Sequence, residues 1–212
     1  MALRRDGERT KLTLLRTAAK VFAKYGYQDA TNELICKPSG LNSASVSYYF
    51  GGKANLYRAA WQYAHEEGSL EYPLDGNVPR DAPPEERLKG RIRTMVYLSS
   101  DPRYCCGQMI LRETVNPTGL LKDLWEQHVI RARRLLDEII SDLLGGLASV
   151  EEVMLHAINI TSMCRIFLHV EPGYIVVEGK EFSLDSMVNQ IHKFSLDAMK
   201  TRRKELEKKR SS

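Results

Sequence analysis

Residues 42–50 read NSASVSYYF, preceded by Ser39-Gly40-Leu41 and followed by Gly51-Gly52-Lys53. Asn42 suits a helix N-cap and Gly51 a C-terminal stop, so the spacing predicts one short helix between them. The composition is unusual for a chain otherwise rich in Leu, Ala, Lys and Glu, because three serines, middling helix formers, stand among two tyrosines. Val46 and Phe50 lie four residues apart and share a face turned inward beside Leu41. Ser43, Ala44, Ser47 and Tyr48 fall toward the other side. Helix propensity does not select that outer face.

The flanking sequence supplies its context. Leu14, Leu15, Ala18, Ala19, Phe22 and Tyr25 recur at helical spacing from about Lys11, and Gly26 marks an end. Thr31 is a good N-cap for a second segment carrying Leu34 and Ile35, which Pro38 and Gly40 interrupt. A fourth helix starts near Lys53 and runs through Leu56, Tyr57, Ala60 and Tyr63. Three short helices with a tight Ser-Gly-Leu link between the second and third predict a helix-turn-helix, whose third element is offered to a DNA groove. Such a helix needs small side chains and hydroxyls on its outer face, which accounts for the serines. Tyr48, Tyr49 and Lys53 can reach phosphates, and Ala44 offers a methyl to thymine. Between Ser43 and Tyr49 there is no Arg, Lys, Asn or Gln, so weak discrimination at each base pair is expected. Arg4, Arg5 or Arg9 would add a minor-groove contact as an N-terminal arm.

Charge follows the same division. Residues 1–53 hold nine Lys/Arg against four acids, residues 54–199 fifteen against twenty-one, and residues 200–210 seven against two. A basic head on a mildly acidic body fits a nucleic-acid-binding module joined to a sensing or assembly domain. No apolar run approaches the ~20 residues that span a bilayer, and MALRRDGERTK lacks a secretory apolar stretch, so a cytoplasmic protein is expected. Cys36, Cys105, Cys106 and Cys164 show no metal-ligand spacing and read as reduced thiols. No two histidines share helical i, i+4 spacing, and no nucleophile elbow, phosphate-binding Gly loop or H-E-x-x-H is present. Neither a catalytic set nor a metal or other cofactor is expected.

Beyond residue 65, residues 72–84 form a Pro/Gly loop. Helices are expected over 85–98, 106–115, 118–144, 150–170 and 184–204, with a β-rich piece at Tyr174-Ile-Val-Val177. The fold class is therefore all-α.

Phe22-Ala-Lys-Tyr-Gly26-Tyr27, Thr31, Ile35, Gly40-Leu41-Asn42, Tyr48-Tyr49-Phe50 and Lys53 together resemble the N-terminal signature of the TetR family of bacterial transcriptional repressors, over roughly residues 10–65. The loop at 72–84, with Asn42, residues 48–53 and Leu111-Arg-Glu-Thr-Val-Asn-Pro-Thr118, is similar to the CecR-like (YbiH-type) branch, whose members control drug-efflux genes. The resemblance implies a helix-turn-helix DNA-binding domain at 1–55 and a larger α-helical effector-binding and dimerisation domain at 56–212. It implies a homodimer on an inverted-repeat operator of double-stranded DNA, released by a small-molecule effector. Thr31, Asn42, Ser43, Ser45, Ser47, Tyr48, Tyr49 and Lys53 match the family's DNA-contact positions. This chain departs from the pattern at Asn32 and Leu34, at Pro38, and at Ser47 where a Tyr is frequent, so a shorter first element is expected.

In such a body, Met95, Met109, Trp125, Met163 and Phe167 are candidates to line an apolar effector cavity, with Arg112, Glu113 and His128 as orienting groups. Two other readings stand beside the repressor. One is a small α-helical enzyme or carrier that binds DNA incidentally, and the other is a thiol regulator sensing oxidants through Cys105 and Cys106.

Overall fold

The computed structural model describes the backbone at residues 2–169, 176–177, 180–181 and 183–211, and side chains at 7–169 and 183–211. Ten α-helices run along the described chain, which falls into two compact units, residues 1–71 with 102–124, and residues 72–101 with 125–212. The expected boundary at 55/56 lies inside a single helix, and residues 102–124 belong with the N-terminal unit.

The N-terminal unit contains α1 (Ala2–Asp29), α2 (Asn32–Cys36), α3 (Ala44–Phe50), α4 (Lys53–Glu71), α6 (Cys106–Val115) and the three-residue α7 (Lys122–Leu124). α1 starts at Ala2 rather than near Lys11. The Leu, Arg and Glu residues there are good helix formers, so the segment proposed as an N-terminal arm has a helical backbone; the side chains of Arg4 and Arg5 lie outside the described residues. The Gly26 backbone is non-helical at φ 76°, ψ 178°, which breaks α1 where the sequence places its end. Leu14, Ala18 and Phe22 are buried at helical spacing. α1 packs on α4 and α6, and the Phe22 and Tyr57 rings meet edge-on at 4.9 Å. Trp61, Leu56 and Met109 complete this core. Each such fully buried side chain contributes about 1.5–3 kcal/mol.

The C-terminal unit contains α5 (Pro84–Ser100), α8 (Arg131–Leu143), α9 (Val150–Cys164) and α10 (Leu184–Ser211). Leu136, Ile139, Ile140 and Leu143 form the buried stripe of α8 at i, i+3, i+4 and i+7, against Leu88 and Ile92 of α5, Ile160 of α9 and Ile191 of α10. The expected continuous helix over 118–144 is instead α7, a π-helical segment Trp125–Ile130 and then α8. α9 ends at Cys164 and tightens into a 3-10 turn at Ile166–Leu168. α10 extends to Ser211, past the expected end. Val176–Val177 (β1), within the predicted piece at 174–177, pairs antiparallel with Lys180–Glu181 (β2), while residues 174–175 of that piece lie outside the described residues.

The loop at 72–83 is fastened along α5. Tyr72 donates to Asp101 at 2.9 Å and Thr94 Oγ1 to the Pro73 carbonyl at 2.7 Å. Gly76, at φ 67°, crosses Gly90 so closely that a Cβ on it would sit 2.4 Å from the Gly90 carbonyl oxygen. No side chain fits there. Among the described residues no helix is long and apolar enough to cross a membrane.

Candidate nucleic-acid interface

Local signals build the helix pair. Thr31 Oγ1 accepts from the Leu34 amide at 3.2 Å, closing the N-terminus of α2, and Glu33 sits in its first turn, where the dipole favours an acid. Pro38 ends α2 after five residues, and Lys37–Ser39 tightens into a 3-10 turn, giving the short first element expected from the sequence. Asn42 Oδ1 accepts from the Ser45 amide at 3.1 Å, so its oxygen is engaged in capping α3. Gly51 stops α3 in the left-handed region at φ 71°, its amide bonded to the Ser47 carbonyl at 2.9 Å.

The faces divide as the pattern predicts. Val46 is fully buried and Phe50 half-buried, with the Lys11 ammonium 5.5 Å from its ring centroid. Asn42, Ser43, Ala44, Ser47 and Tyr48 are exposed, Tyr48 at 81%, while Ser45 and Tyr49 are half-buried. Tyr48 and Tyr49 meet edge-on at 4.8 Å. Thr31 is exposed at the start of α2. Lys53 is folded inward, with Nζ donating to the Gln28 carbonyl at 3.2 Å and lying 4.6 Å from the Tyr27 ring centroid. Desolvation lowers its pKa from the ordinary lysine value. Arg9 lies in a groove of about 270 Å³ with Thr10, Thr13, Ser39 and Leu41.

The eight effector candidates are divided between the two units. Met109, Arg112 and Glu113 lie on α6 in the N-terminal unit. Arg112 donates through Nη2 to the Lys24 carbonyl at 2.6 Å and through Nε to that of Ala23 at 3.4 Å. These carbonyls precede the break at Gly26, so the guanidinium caps the end of the regular part of α1. Glu113, 7% exposed, accepts from Tyr57 Oη at 3.0 Å, the Thr118 amide at 2.9 Å and Thr118 Oγ1 at 3.0 Å. Burial, then the Glu113 charge, raises the Tyr57 phenol well above its ordinary pKa. Arg58 pairs bidentately with Asp123 at 2.7 and 2.6 Å, holding that carboxyl at about 2. The pair is exposed and adds little to stability.

Met95, Met163 and Phe167 come together in the apolar cluster of the C-terminal unit, whereas Trp125 and His128 sit half-buried in the π-helical segment. That unit also has a cavity of about 380 Å³, lined by Leu74, Val78, Leu135 and the cations Arg80, Arg131 and Arg134, among others. None of the sequence candidates lines it. Sequence reasoning missed Arg91, a buried arginine on α5. A signal existed, because Leu88, Arg91, Ile92 and Met95 share the i, i+3, i+4, i+7 phase of a core stripe.

A capped short helix, a tight turn and a second helix exposing hydroxyls on a basic head define a helix-turn-helix DNA-binding regulator. Residues 14–60 match the family described as bacterial regulatory proteins, tetR family. Residues 84–199, more than half of the chain, match the C-terminal domain of the HTH-type transcriptional dual regulator CecR. The chain belongs to the TetR family of transcription regulators, in its CecR-like branch. A curated relative from Shigella flexneri, the HTH-type transcriptional dual regulator CecR, is 27% identical over 160 residues, 71% of either chain. The crystal structure of AibR in complex with isovaleryl coenzyme A and operator DNA is similar at TM-score 0.71 and 17% identity, covering 87% of this chain and 97% of that one. The fatty acid degradation regulator FadR from Bacillus halodurans is similar at TM-score 0.58 and 19% identity, over 87% and 96%. At such identities these two structures share the fold.

Proposed function

We propose that this regulator is a repressor which binds an inverted-repeat operator as a homodimer, one α3 per major-groove half-site, and is released by a small apolar or amphipathic effector in its C-terminal unit. The observation that carries the reading is the division of α3, with Val46 locked inward and Ser43, Ala44, Ser47 and Tyr48 left exposed. In this reading Ser43, Ala44, Ser45 and Ser47 face bases, and Thr31, Asn42, Tyr48, Tyr49 and Lys53 position the head on phosphates. Lys53 has to leave Tyr27 and Gln28 to do so.

Dimerisation is assigned to α9 and α10. Leu155 and Ile158 on α9 are 51% and 47% exposed and Phe194 on α10 is 60% exposed, apolar surface of the kind a two-fold partner covers. The Arg202–Glu152 ion pair joins these two helices.

The effector reading is supported by the Met95, Met163 and Phe167 cluster, and by the isovaleryl coenzyme A named in the AibR complex. Coupling would travel through residues 102–124, which carry α6 and whose chain enters from and returns to the C-terminal unit at 101/102 and 124/125. A non-enzymatic role follows. The test is light scattering at micromolar concentration followed by operator titration with and without acyl-type amphiphiles. A dimer whose DNA affinity falls about 5–150-fold supports the proposal. Ligands that stabilise the protein and leave DNA affinity unchanged point to a carrier or enzyme instead.

A further inference from the structure

Two buried arginines stand four residues apart on α5, and they differ in one respect. Arg87 is satisfied, donating to Asp142 Oδ2 at 2.8 Å and Glu138 Oε1 at 3.0 Å. Arg91 is 6% exposed, its Nε makes no hydrogen bond, and no carboxylate pairs with it among the described residues. The groups that act on it electrostatically are Arg165, a second cation, and the Cys164 thiol, itself pushed up to about 12 by burial. Burial and Arg165 bring the Arg91 guanidinium down to about 10, so it is still charged at neutral pH.

Arginine is rarely buried without a partner, because the lost hydration has to be replaced by an opposite charge or by hydrogen bonds. Arg91 has neither within the described unit. It occupies a core phase of α5, and the stripe it belongs to continues through Met95 into the apolar cluster containing Cys164 and Phe167, with Met163 packed against it. A fixed, desolvated cation beside apolar side chains is the complement of an anion attached to an apolar body.

We propose that Arg91 is the docking point for the carboxylate of an amphipathic effector held within the C-terminal unit. One guanidinium fork matches the two oxygens of one carboxylate, whereas a doubly charged phosphate monoester would call for a second free cation, and Arg165 has a contact of its own. The inference deepens the effector reading above and rests on its placing the ligand in this unit. It adds the charge class of the ligand and the residue that selects it.

The first test needs no variant. Straight-chain carboxylates of six to twelve carbons are titrated calorimetrically against the full-length protein, each beside the primary alcohol of equal length. At least one carboxylate is expected to bind about tenfold more tightly than its alcohol, the difference one charge-assisted contact supplies. Equal binding of every pair, or no binding of any carboxylate, overturns the proposal. The second test is Arg91→Met, which keeps the length of the side chain and removes the charge. Without ligand this variant is expected to melt at the same or a higher temperature than wild type, because an uncompensated buried charge has gone. With ligand it should bind carboxylate and alcohol alike. A ligand-free variant that melts several degrees lower, or does not fold, shows that Arg91 is paired inside the chain and overturns the proposal. Operator titration separates the two claims. Carboxylates that bind through Arg91 and leave DNA affinity unchanged sink the repressor-release reading and keep the docking site. Neutral compounds that release wild type and Arg91→Met equally keep the release reading and sink the docking site.

Discussion

The fastening of α6 to the DNA-binding unit allows a quantitative prediction. Glu113 is the common acceptor for Tyr57 Oη, the Thr118 amide and Thr118 Oγ1, in a site where Tyr57 is 2% exposed. In Glu113→Ala the phenol and the Thr118 amide lose their acceptor together. The buried phenol left without its acceptor costs ~1–3 kcal/mol, whereas the half-buried Thr118 amide can turn to water, so the loss should be roughly 1–3 kcal/mol. Tyr57→Phe removes one bond to a charged acceptor and leaves Glu113 served by Thr118, a loss of ~1.5–3 kcal/mol. The double variant no longer has the phenol to orphan, so it should be more stable than the sum of the singles implies by ~1–3 kcal/mol. Urea unfolding followed by Trp61 fluorescence, in a Trp125→Phe background, reports on the N-terminal unit, which contains Trp61. Strict additivity within ~0.5 kcal/mol would refute the shared bond. The pH dependence adds a check. The phenol is raised above its ordinary 10, so the folded state holds the proton more tightly. Its contribution is complete below pH 10 and is lost as pH rises beyond it. Tyr57→Phe should flatten that alkaline decline.

Two further outcomes are expected. Lys53→Ala should weaken binding to all DNA sequences alike and reduce the salt slope by about 1 per half-site, as loss of one phosphate contact does. An unchanged slope would leave Lys53 as a strap across Tyr27 and Gln28 only. Burial raises the Cys36, Cys105 and Cys164 thiols, so at neutral pH they should react slowly with a disulfide reagent, and mild oxidant should leave operator affinity unchanged. Rapid labelling of Cys105 coupled to release of DNA would favour a thiol sensor.

The helix-turn-helix was legible because its signals are local. Thr31, Asn42 and Gly51 act within three or four residues, and the four-residue spacing of Val46 and Phe50 reports one face of a helix. The loop at 72–84 was legible as a motif, but its reason, the close crossing of Gly76 over Gly90, involves residues fourteen positions apart and appears only in three dimensions. α6 was recognised as a helix, yet nothing local assigns it to the N-terminal unit. Arg112 and Glu113 read equally well as ligand groups until Lys24, Tyr57 and Thr118 are seen beside them. The π-helical segment at Trp125–Ile130 interrupts an apolar periodicity that looks continuous in sequence. Arg91 shows the opposite case, since its core phase was visible in the sequence and its lack of a counter-charge required the structure.

The central claim is that the exposed face of α3 reads operator DNA. The most direct measurement is fluorescence anisotropy on the DNA upstream of the protein's own gene and on a scrambled duplex, at fixed salt, for wild type and Ser47→Glu. Ser47 is exposed and its side chain supports no described contact, so the substitution leaves the fold intact while placing a carboxylate on the face assigned to the groove. Wild type should prefer the upstream duplex by about 10³-fold or more, and the variant should lose most of that affinity. Equal affinity of wild type for both duplexes, or a variant that binds as wild type does, would contradict the account.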